Sequence, residues 1–267
     1  MPFNNAINAN TAGYQSLTSG GVWNGRTFQA GTGIILANAD GTAGNTTITA
    51  TGTAPDPFAT LNLVDDFIHV AGDESQTGDT NWEQTGETLV IGGVANHPGI
   101  IGLGNNSSGG IFKTDSATTS SIFLGSGILT IEFLVMIDAL STSNVYIGLG
   151  RGAVLSEPTS GVYFFYASGT NSGKWVGKTA AASVRSSANS ANTVTAGQWD
   201  RLKIVVNAAA SSVSFYVNGS EITNSPLATN IPTLAVSPMA VLNYAGASTI
   251  IVNIDLFSMT YALTTPR

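Results

Sequence analysis

The stretch from Gly197 to Ile222 constrains the fold of this 267-residue chain more than any other. Trp199, Leu202, Ile204 and Val206, followed by Val213, Phe215 and Val217, place apolar residues at nearly strict two-residue intervals. That is the period of strands with one buried face. A short Ala/Ser turn separates the two runs, and Asn218-Gly219 supplies the left-handed φ values of a tight turn into a further strand. The segment therefore reads as a β-hairpin, with Trp199 and Phe215 expected among the core residues.

Strand follows strand over most of the remaining sequence. Runs at 61–70, 82–91, 99–103, 110–112, 121–124, 129–138, 145–149, 161–166, 175–179, 193–194, 200–207, 212–218, 239–243 and 248–261 have strand character, and no helix-period stretch of useful length competes with them. About a dozen strands joined by short Gly/Asn/Ser turns predict an all-β, two-sheet antiparallel jelly-roll sandwich.

The first part of the chain has a different texture. Asn and Gly punctuate very short apolar runs such as Ile34-Ile35-Leu36, each long enough for one short strand at most. Such strands build no monomeric core, so they are expected to gain order by winding with identical copies or docking on a larger body. A flexible Gly/Asn linker is the competing reading, against which Ile34, Ile35, Leu36 and Ile48 weigh. Ala54-Pro55-Asp56-Pro57 marks the boundary, because closely spaced prolines hold the backbone extended and stop any ladder. Residues 1–57 are thus an anchoring or trimerisation segment, and residues 58–267 the sandwich.

Two resemblances sharpen this division. The pattern Gly-Gln-Trp-x-Arg-Leu-Lys-Ile-Val-Val, then Val-x-Phe-Tyr-Val-Asn-Gly, resembles the hairpin of concanavalin A-like and laminin G-like domains, a superfamily of lectins, glycosidases and adhesive modules. With Asp65-Asp66-Phe67, Asn96-His97-Pro98-Gly99-Ile100, Gly127-Ile-Leu-Thr-Ile-Glu-Phe-Leu-Val135, Ile147-Gly-Leu-Gly150 and Glu157-Pro-Thr-Ser-Gly-Val-Tyr-Phe164, it is similar to lectin-like domains of bacteriophage structural proteins. The run Ala30 to Thr49 resembles a motif of phage tail fibres. The resemblances imply a virion appendage, a tail fibre or spike whose lectin-like domain attaches to host-surface glycan. A capsid fibre or decoration protein with an architectural sandwich and a polysaccharide-degrading enzyme of the same fold are the alternatives.

Composition narrows the partners. Only 9% of residues are charged, against about a quarter in a typical soluble protein. An uncharged, hydrogen-bonding surface suits extracellular β-proteins and assembled particles. The net charge of −7 and the scattered Lys and Arg argue against nucleic acid. No apolar run approaches the length of a membrane span, and Met1 to Asn10 lacks the basic start and apolar core of a secretory leader. The chain has no cysteine, which removes disulfides and thiol chemistry. The expectation is a virion component that reaches the outside by lysis or assembly. A homotrimer would let each short N-terminal strand pair with its neighbours, and residues 1–57 would meet other virion proteins.

Candidate chemistry is sparse. Asp65, Asp66, Asp73, Glu74 and Asp79 are the densest acidic group, and Asp73, Glu74 and Asp79 are the candidate Ca²⁺ ligands, set against a solvated connection between strands. No other cofactor is expected. Glycosidases of this fold carry paired carboxylates within one strand, a motif this chain lacks; Glu132 and Asp138 lie about 20 Å apart at strand rise. Glu132 is a candidate polar residue of a binding face, or else a charge satisfied by a partner. His69 and His97 do not make a metal site by themselves. Tyr163, Tyr166 and Trp175 are the candidate sugar-stacking rings, with core or subunit contact as their other fate. The expected protein is a binding module and not an enzyme.

Overall fold

The architecture comes from a computed structural model, which describes residues 34–37, 47–50, 58–68, 78, 82–90, 93–104, 106–113, 120–151, 155–246 and 249–267. The chain divides into two compact units, Met1–Asp56 and Pro57–Arg267. In the first, β1 (Ile34–Ala37) pairs antiparallel with β2 (Thr47–Ala50), Leu36 opposite Ile48. The rest of the segment assigned to anchoring and trimerisation lies outside the described residues.

The second unit is a sandwich with no helix among its described residues. Its strands are β3 (Thr60–Asp65), β4 (Glu83–Gly86), β5 (Thr88–Val90), β6 (Ile101–Gly104), β7 (Gly109–Phe112), β8 (Gly127–Ile137), β9 (Asn144–Arg151) and β10 (Ser160–Tyr166). They continue with β11 (Lys174–Ala181), β12 (Val184–Thr193), β13 (Trp199–Val206), β14 (Val213–Val217), β15 (Ser220–Glu221), β16 (Ser237–Asn243) and β17 (Ile251–Leu263). One sheet runs β12-β11-β10-β9-β16-β7-β4 and the other β15-β14-β13-β8-β17-β6-β5. The long β17 pairs with β6 near its start and with β3 further on. Every pairing is antiparallel, as the jelly-roll expectation requires.

The hairpin forms as its alternation predicts. In β13 and β14, Ile204 faces Phe215 across the ladder and Leu202 faces Val217, all four buried. Asn218 and Gly219 take φ of 52° and 83°, the turn into β15. The core lies between the sheets: Ile131, Phe133 and Val135 of β8 and the hairpin's inner residues meet Ile147 and Leu149 of β9 and Val162 and Phe164 of β10. Phe164 meets Phe215 edge-on, ring centroids 5.4 Å apart, joining one sheet to the other.

Several expectations change. Trp199 is not a core residue: it stands three residues before Leu202, so pleat parity turns it to the opposite face, where it is half-buried. The expected strand 82–91 divides at Gly86, whose φ of 73° breaks the extended backbone and sends β4 and β5 into different sheets. Residues 121–124 contribute a single bridge, Ile122 to Val236. The polar run Val184–Thr193 forms a ten-residue strand where only 193–194 was expected, because an edge strand needs few apolar side chains.

Candidate functional site

The outer face of the eight-stranded sheet gathers polar residues that the hairpin's alternation turns away from the core. Register aligns Glu221, Tyr216, Lys203, Glu132 and Ser258 in one row across β15, β14, β13, β8 and β17. Arg201 stands one pleat along β13 from Lys203. Each is locked by inward neighbours in the core, so the row sits on rigid backbone. The strands supply the side chains and the turn at Gly219 supplies open space, since a Cβ there would meet nothing.

Glu132, Arg201, Lys203, Tyr216 and Gly219 line an open depression of about 240 Å³. Arg201 Nε donates to Glu132 Oε2 at 2.6 Å, and Nη2 contacts the same oxygen. Lys203 Nζ lies 3.7 Å from Glu132 Oε1 and 5.6 Å from the centroid of the Tyr216 ring. Glu132 is therefore both a partner-satisfied charge and a wall of this depression. The sequence motifs single out Glu132 but not Arg201, Lys203 or Tyr216. Parity within the hairpin is the signal that puts the last three on one face.

The other candidate rings are not available for stacking. Tyr166 and Trp175 lie in the core between the sheets, and the indole Nε1 of Trp175 donates to Asp200 Oδ2 at 2.9 Å. Tyr163 faces outward from the seven-stranded sheet, yet it is fully buried in a second apolar cluster with Phe112, Tyr146, Phe165, Val176 and Met239. The connection from β9 to β10 fastens over that cluster. Leu155 packs against it, and Glu157 Oε1 accepts from the Tyr163 hydroxyl at 2.9 Å and Lys178 Nζ at 2.7 Å, with Arg185 Nε 3.1 Å away. Arg185 Nη2 donates to Pro158 O at 3.0 Å.

The electrostatics suit a latch. Burial pushes the Glu157 carboxyl up, but Lys178, Tyr163 and Arg185 outweigh burial and hold it below the usual glutamate range. Burial, and then the nearby Glu157 charge, push the Tyr163 hydroxyl well above its ordinary value and that of Tyr146 to about 12. The latch pairs Glu157 with Tyr163, Lys178 and Arg185, and the depression on the opposite sheet is an open polar site among the described residues.

The candidate Ca²⁺ ligands Asp73, Glu74 and Asp79 lie outside the described residues, as does His69. Among the described residues no three His, Asp or Glu side chains cluster as metal ligands. Asp65, from the same acidic stretch, is instead buried and accepts from Phe67 N at 2.9 Å and Trp82 Nε1 at 3.0 Å. His97 packs on Trp199 and bonds Asp255.

Residues 96–255 match the family described as SO2946-like, C-terminal domain. No curated protein sequence matches the chain. Among solved structures, the protein of unknown function SO2946 from Shewanella oneidensis MR-1 aligns with a TM-score of 0.57 at 13% identity, over 80% of this chain and 91% of that one. The carbohydrate recognition domain of Emp47p aligns with a TM-score of 0.52 at 10% identity, over 78% and 97%. An endo-1,3-beta-glucanase from Streptomyces sioyaensis gives 0.51 at 14% identity, over 78% and 99%. At these identities the likeness is one of fold, the concanavalin A-like jelly roll.

Proposed function

The chain belongs to the SO2946-like, C-terminal domain family, and on that fold we propose a glycan-binding display domain carried by a bacteriophage tail fibre or spike. The depression formed by Glu132, Arg201, Lys203, Tyr216 and Gly219 carries the reading. A pyranose offers C–H groups that pack on an aromatic ring and hydroxyls that pair with charged groups, and Tyr216 stands beside such groups here. Among the proteins of this fold, Emp47p supplies a domain named for carbohydrate recognition.

The same geometry favours binding over hydrolysis. Paired-carboxylate cleavage places its two acids about 5 to 9.5 Å apart. Glu132 is the one carboxylate lining the depression among the described residues, and Glu221 stands three strands away in the row, about 14 Å at strand spacing. The appendage part of the proposal is supported by the tail-fibre-like run Ala30 to Thr49 and the low charge density. On this reading residues 1–57 hold a homotrimer and meet other virion proteins.

A glycan array probed with the full chain and with Tyr216→Ala tests the binding. Retention of specific glycans by the parent and their loss in the variant is the expected result. No retention by the well-folded parent would overturn the reading in favour of an architectural sandwich.

A further inference from the structure

We infer that the depression selects a saccharide carrying a carboxylate, a uronic-acid-type unit, over its neutral counterpart; the inference rests on the glycan-binding reading above. The observation is an imbalance of exposure within one charged cluster. The Glu132 side chain is 14% exposed and is taken up by two cations. Those cations are far more open, 64% for Arg201 and 38% for Lys203. The carboxylate is spent inside the protein, and the charge presented by the depression is cationic.

The guanidinium shows how. Its Nε and Nη2 address Glu132 side-on, while Nη1 has no partner among the described residues. The Nη1/Nη2 end is therefore a free planar fork, the geometry that takes a carboxylate with two parallel hydrogen bonds. Lys203, held between Glu132 and the Tyr216 ring, adds a point charge one pleat away. Glu221 ends the row beyond Tyr216, accepts from Ser225 Oγ at 2.8 Å, and does not line the depression. In a chain with nine basic residues against sixteen acidic ones, these two are fixed on one rigid strand face by Glu132.

A neutral sugar would use the same donors through neutral acceptors, which make weaker bonds than a charged one. Acidic ligands should therefore bind more tightly, and salt should erode the difference because the site is open.

The test is calorimetric titration of the full chain with oligosaccharide pairs: oligogalacturonate, oligomannuronate and sialyllactose, each beside its methyl ester. The acid of the bound pair should bind about tenfold more tightly at low salt. Arg201→Gln should weaken the acid more than the ester and so remove most of the difference between them, and Glu132→Gln, which frees the guanidinium, should tighten the acid. Equal binding of acid and ester overturns the carboxylate preference and leaves the glycan reading standing. Binding of no pair overturns the carboxylate preference, and retention on the glycan array shows whether the glycan reading stands without it.

Discussion

The imidazole of His97 lies nearly flat on the indole of Trp199, ring centroids 4.4 Å apart and planes 21° apart, while its Nδ1 sits 2.7 Å from Asp255 Oδ2. Asp255 is the extra residue of a bulge in β17, where the register to β8 shifts between Ile254 and Leu256. The bulge re-aims a buried carboxylate at the His97 turn. His97→Ala should leave Asp255 buried and unpaired and remove the ring contact, costing about 2 to 4 kcal/mol. His97→Phe keeps the stack and loses only the hydrogen bond, so it should fall between the two. Urea denaturation reads the differences; an alanine variant within about 0.5 kcal/mol of the parent would show the pair to be incidental.

Glu157 makes the latch over the seven-stranded sheet sensitive to acid. Burial raises its carboxyl, but Lys178, Tyr163 and Arg185 together hold it below the usual range. A carboxyl lowered on folding contributes stability that is complete above its unfolded value, about pH 4.3, and is lost as the pH falls through the folded value. Glu157→Gln should therefore be less stable than the parent at neutral pH, with the gap closing below about pH 4.3. Paired melting curves across that range check it. A gap independent of pH would mean that the carboxylate's charge is not what holds the connection.

Asp65 organises the start of the sandwich from a buried position. Its carboxylate accepts from Phe67 N and Trp82 Nε1, and it lies so close to Gly78 that a Cβ there would stand 2.4 Å from Oδ1. Asp65→Ala strands two donors in the core and should cost about 3 kcal/mol. Gly78→Ala adds that collision to a φ of 71°, and should destabilise by about 1 to 3 kcal/mol. Chemical denaturation of both variants measures this. A neutral Gly78→Ala would show that Gly78 does not stand against Asp65.

Alternation made the sandwich legible: Leu129, Ile131, Phe133, Val135 and Ile137 all face inward from β8, and the hairpin's inner residues do the same. Where local pattern failed, a non-local term decided. Val184–Thr193 carries too little apolar surface to announce a strand, yet β11 offers it a ladder. The site was half visible. Parity turns Arg201, Lys203 and Tyr216 outward together, but their meeting with Glu132 depends on β8 lying beside β13, a pairing that joins residues 69 positions apart. Alternation within a strand says which way a side chain points and nothing about which strand comes next. The same gap left two fates open for Tyr163, whose outward face is covered by the β9–β10 connection.

Gly177 offers the sharpest test of how the sheets interlock. It lies in β11, where a Cβ would come within 2.5 Å of Cγ of Phe215 in β14 of the opposite sheet. The ring has no room to retreat, being fully buried and held edge-on by Phe164. Gly177→Ala should thus destabilise the domain by about 1 to 3 kcal/mol through overpacking, although alanine suits a strand better than glycine. Phe215→Leu alone should also destabilise, by leaving space. Combined, the two changes relieve each other, and the double variant should be more stable than the sum of the single losses by about 0.5 kcal/mol or more. Strict additivity in a denaturation cycle would show that the glycine is not what lets Phe215 cross between the sheets.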